Sequence, residues 1–139
     1  MATIDTQRHQ AIRRAVTRRP EAVLDVTIVL WERLASELIS IIGEGGFQSL
    51  YARSVLLASA TFPWMVHTHP WQRTDSRFSD LKISFDGRDF TEISEASIAL
   101  LITFIDILAL LIGELLTTRI LRSAWGDDAL DMAGKELRQ

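Results

Sequence analysis

From Phe90 to Trp125 the chain runs without a proline and with a single glycine, Gly113. Its middle, Ile98–Gly113, reads I-A-L-L-I-T-F-I-D-I-L-A-L-L-I-G and is apolar nearly all round. Leucine, isoleucine and alanine dominate it, which favours helix over strand, and a helix with no polar face is stable once other helices cover it on every side. As one uninterrupted helix, Phe90–Trp125 would be roughly 50 Å long at 1.5 Å per residue. A compact domain of this size has a diameter somewhat under 40 Å. The helix must therefore overhang, bend, or be covered by a second copy. Membrane insertion is the competing reading. A span needs about 20 apolar residues, and this run is shorter, with Asp106 near its centre, where a carboxylate costs about 3 kcal/mol on insertion scales. The run is read as the middle of a bundle, with no membrane span.

The rest of the chain supplies helices to cover it. Leu30, Trp31, Leu34, Leu38, Ile41 and Ile42 recur at three- and four-residue steps, which lines one face of a helix from about Pro20 to Ile42. Pro20 suits a first helical position, which needs no N–H. Gly43-Glu44-Gly45-Gly46 is expected to end that helix. Phe47, Leu50, Tyr51, Ser54, Val55 and Ala58 make a second stripe over about 47–60, and so short a connection predicts a helical hairpin. Residues 61–76 are irregular, with Pro63 and Pro70. A short helix over about 76–86 precedes Gly87, and Asp89 with Glu92 has capping-box spacing at the start of the long helix. Trp31 and Trp125 fall where packing needs them. The fold class is all-α: a bundle of four to five helices with one long apolar central C-terminal helix. Residues 20–126 form the bundle, 1–19 a basic N-terminal arm or short helix, and 127–139 a flexible tail.

Of 139 residues none is cysteine, which excludes disulfides and thiolate zinc sites and suits a reducing compartment. The first residues lack the apolar run of a secretory signal, so the expected location is cytoplasmic. The net charge of -3 is unevenly spread. Arg8, Arg13, Arg14, Arg18 and Arg19 against Asp5 give residues 1–19 a charge of +4, leaving -7 for the remainder. Arg13, Arg14, Arg18 and Arg19 are the candidate contacts to nucleic acid or an acidic partner. The overall acidity argues against nucleic acid.

Ile42-Gly43-Glu44 and Ile112-Gly113-Glu114 each follow an apolar helical run, with Arg53-Ser54 and Arg122-Ser123 downstream. The two spacings differ by one residue, so the echo reads as likeness between two amphipathic helices and not as a clean repeat. Gly113 within a strong helix costs about 1 kcal/mol relative to alanine, and close approach of another helix is the expected reason. The strings I-G-E-G-G-F…L-Y-A-R-S and L-I-G-E-L-L-T-T…L-R-S-A-W resemble a group of short uncharacterised all-helical bacterial proteins. The likeness covers about residues 30–126. It implies helices and a bacterial origin, and carries over no functional residue.

Chemistry-bearing motifs are sparse. His67 and His69, with Asp75 or Asp80 near in sequence, are weak candidates for a divalent metal, because no third imidazole lies close. No glutamate is followed three residues later by histidine, which argues against a carboxylate-bridged di-metal bundle. Phosphate-binding glycine loops and the nucleophile elbow are absent. No cofactor is expected. Asp106 stands out, since a carboxylate inside a bundle must find a partner or hold its proton. Thr103, one turn away, can bond to it locally, and Arg53 or Arg33 is the expected cross-helix partner. These features favour a non-enzymatic interaction module, an adaptor or regulator in bacterial signalling, working as a homodimer. Three alternatives remain open: a small-molecule sensor with an inter-helix pocket lined by Asp106, Trp64, Trp71 and Phe78; an enzyme using the carboxylates of Asp106 and Glu114; and a nucleic-acid binder using the arginine arm.

Overall fold

A computed structural model describes residues 4–65 and 78–126. The elements are α1 (Ile4–Val16), a turn of 3-10 helix (Pro20–Ala22), α2 (Val23–Ala58), α3 (Ser79–Phe85), α4 (Phe90–Ile112) and α5 (Glu114–Trp125). Among the described residues there is no strand, and the chain is all-α with a long apolar helix in its C-terminal half.

Two glycines shape it. Gly43 interrupts α2 with φ 82° and ψ 164°, a conformation essentially confined to glycine. The chain resumes its helix at once and doubles back: the rings of Trp31 and Tyr51 meet edge to face with centroids 5.1 Å apart. In a straight helix those residues would be about 30 Å apart. The expected hairpin is present, with Gly43 alone as its turn and Gly45 and Gly46 already inside the returning helix. Gly113, at φ 95° and ψ 158°, does the same between α4 and α5. The expected continuous helix over Phe90–Trp125 is therefore corrected to two helices that meet at Gly113. The reason for this glycine is also corrected. A Cβ added there would meet nothing within 4 Å, so the backbone angle requires glycine, and no neighbouring helix does.

The break resolves the length problem. Leu100, Leu101, Phe104, Ile105 and Leu108 of α4 are buried by their own chain, with α2, α1 and α5 packed on the helix. Asp89 caps α4 as its spacing predicts, accepting from the Glu92 N–H at 2.8 Å. Trp125 closes α5 against α2, its indole N–H donating to the Leu30 carbonyl at 2.9 Å. Residues 4–16 form a short helix, α1. Ile12 and Val16 of α1 are fully buried in the common core, so α1 belongs to the bundle. The expected tail, 127–139, lies outside the described residues.

Candidate functional site

Position 8 falls in line with Ile12 and Val16 at four-residue steps, on the face of α1 that enters the core. The side chain it delivers is an arginine that is almost wholly buried. A buried guanidinium needs acceptors, and the second hairpin supplies them from both arms. Arg8 Nη2 donates to Asp106 Oδ1 of α4 at 3.0 Å, and Arg8 Nη1 donates to Glu114 Oε1, the first residue of α5. His9, next along α1, places Nε2 3.0 Å from both Asp106 oxygens, so a ring carrying the Nε2 proton donates to that carboxylate. Asp106 and Glu114 are each somewhat over a third exposed, so water also reaches this cluster.

Burial by itself would lower the pKa of Arg8. Hydrogen bonds to Asp106 and Glu114, with the charges of both acids, outweigh that and raise it. A base whose pKa rises on folding contributes stability that is complete below its unfolded value and is lost only as pH climbs through the folded one. Arg8 therefore contributes no pH dependence near neutrality. The expected partners of Asp106 are corrected: it is held by Arg8 and His9, while Arg33 and Arg53 are exposed. The sequence carried the signal in the alignment of Arg8 with Ile12 and Val16, which a reading of the segment by its charge alone hides.

The remaining candidates are dispersed. Phe78 is buried in an aromatic group, 5.7 Å from Trp31, 6.2 Å from Phe47 and 5.5 Å from Tyr51 between centroids. Trp64 packs elsewhere, edge to face on Phe62 and Phe85, with the Arg88 guanidinium 4.4 Å above its ring. Trp71, His67, His69 and Asp75 lie outside the described residues. Among the described residues no three metal-ligating side chains gather. Arg13, Arg14, Arg18 and Arg19 are exposed, and Arg13 approaches Glu95 of α4 at 3.9 Å.

A second feature sits beside the ionic cluster. Leu110 and Leu111 end α4, Leu115 and Leu116 open α5, and all four are exposed, Leu110 at 87% and both Leu111 and Leu115 at 70%. Isolated surface leucines are common, but four at one helix junction form a patch. By length and composition α4 is apolar enough to cross a membrane, yet half of its most apolar window is buried inside the molecule. No protein-family model, curated protein or solved structure matches this chain.

Proposed function

We propose that this chain is a non-enzymatic helical interaction module, a cytoplasmic bacterial adaptor or regulator, and that it acts as a homodimer. The observation that carries the reading is the apolar surface left over at the α4–α5 junction after the core has been filled. Exposed apolar surface costs about 25 cal/mol for each Å², and association removes that cost. The acids offered as catalytic groups favour the same reading. Asp106 and Glu114 are both engaged by one buried arginine, which ties α1 to the second hairpin, and this serves architecture better than proton transfer.

Sedimentation equilibrium at micromolar concentration tests the homodimer. The expected result is a mass of two chains. A mass of one chain across the micromolar range overturns it.

A further inference from the structure

Shifting the numbering by 70 residues lays the second half of the chain on the first. The two turn glycines coincide, Gly43 on Gly113, with φ and ψ within about 15° of each other, inside ordinary scatter. From 40 to 50 and from 110 to 120 the sequence of buried, half-buried and exposed positions is identical. Earlier in the two long helices, Trp31, Leu34 and Leu38 fall on Leu101, Phe104 and Leu108, all buried. Along α1, and along α3 with the residue before it, Arg8, Ala11 and Ala15 fall on Phe78, Leu81 and Phe85, again all buried. The contacts are reciprocal as well. Across the halves, α1 packs on α4 and α3 on α2, and α1 also packs on α2 of its own half. The returning helix of each half also reaches the other's long helix: Phe47 meets Phe104, and Trp125 bonds to Leu30. Reciprocal contacts between equivalent elements describe a two-fold relation within one chain. The one-residue slip between Arg53-Ser54 and Arg122-Ser123 concerns an exposed arginine, Arg53 or Arg122, and leaves this register untouched.

The duplication supplies an internal control. At equivalent exposed places the first apex carries Ser40, Ile41, Gly45 and Gly46, and the second carries Leu110, Leu111, Leu115 and Leu116. The same turn with the same burial forms without leucines in the first half, so the fold does not require them in the second. We infer that the chain is an internal duplication and that the leucine apex, which its twin lacks, is where a second copy docks, apex to apex across a two-fold axis; this rests on the homodimer reading above.

Size and charge support that occupant. Four leucines so exposed present roughly 500 Å², near the upper end of the largest patch on an ordinary monomer. Two such faces meeting remove about 1,000 Å², the lower bound for a specific protein interface. From Ile107 to Thr118 the only charged residue is Glu114, and Arg8 holds it, so two apices can meet without an uncompensated repulsion between like charges.

The test uses the full chain in three forms. The first is wild type. The second is L110S/L111S/L115S/L116S. The third adds S40L/I41L/G45L to that background, leaving Gly46, where an added Cβ would press on Ile42 at 3.3 Å. Sedimentation should give a wild-type dimer, association at least tenfold weaker in the second form with unchanged helical circular dichroism, and recovery in the third. A second form that loses helix makes the leucines structural and overturns the control argument. A second form as dimeric as wild type overturns the location while sparing the homodimer. A third form that stays monomeric overturns the equivalence of the two apices. A monomeric wild type overturns both proposals, and if it also floats with phosphatidylcholine vesicles through these leucines, a lipid surface is the occupant instead.

Discussion

The first and second hairpins make the same turn and receive a neighbour's short helix in opposite ways. At Gly43 the incoming residue is Phe78, and the hairpin meets it with Trp31, Phe47 and Tyr51, rings packed edge to face or tilted. At Gly113 the incoming residue is Arg8, met by Asp106 and Glu114 with His9 alongside. Aromatic packing tolerates a shift of a few tenths of an ångström, because dispersion is spread over many atoms. An arginine fork fixes distance and direction at once and fails when one partner leaves. The difference teaches that one backbone frame accepts a greasy joint or a polar one. The polar joint holds together α1, α4 and α5, which converge on the apex that, of the two, carries exposed leucines.

Breaking the aromatic joint should cost most. Trp31→Ala removes a fully buried indole that touches three other rings, and a loss of about 3–5 kcal/mol is expected in urea or thermal unfolding. A loss under 1 kcal/mol would mean that the first hairpin does not depend on its aromatic centre.

The ionic joint should be weaker and asymmetric. The double change Asp106→Ala with Glu114→Ala takes two carboxylates from a buried guanidinium, and about 3 kcal/mol of destabilisation is expected. Arg8→Met leaves behind two acids that water already reaches, so its cost should be nearer 1 kcal/mol. Chemical denaturation of both variants at one ionic strength compares them, and equal losses would contradict the picture of a buried cation between two wet anions.

The two turns themselves provide the sharpest comparison. Gly43→Ala and Gly113→Ala each force an L residue to a positive φ in otherwise open space, at about 2 kcal/mol apiece. Near-equal falls in melting temperature are expected. A difference of more than about 1 kcal/mol between them would show that the turns are not equivalent. The smallest effect on stability belongs to Leu110→Ser. It should change the melting temperature of the dilute chain by less than about 0.5 kcal/mol's worth, as surface changes do, while weakening association.

The sequence by itself determined the helices, because three- and four-residue apolar spacing, a capping pair at Asp89 and Glu92, and the placement of glycine and proline are local signals read within a turn or two. It also singled out Asp106 as the acid within the apolar run, but it placed that carboxylate inside the bundle, whereas the packed helices leave it within reach of water. It did not show that Gly113 ends one helix and starts another. A glycine inside strong helix formers is locally compatible with continuing, and only the length of the molecule and the cover available to α4 favour folding back. Nor did it show which arginine answers Asp106: Arg8 lies 98 residues away in the chain, and a pairing at that separation is chosen by how helices cross. The match between the two halves was hidden for the same reason. Few identical residues survive in it, and what repeats is the pattern of burial, which exists only once the helices have packed.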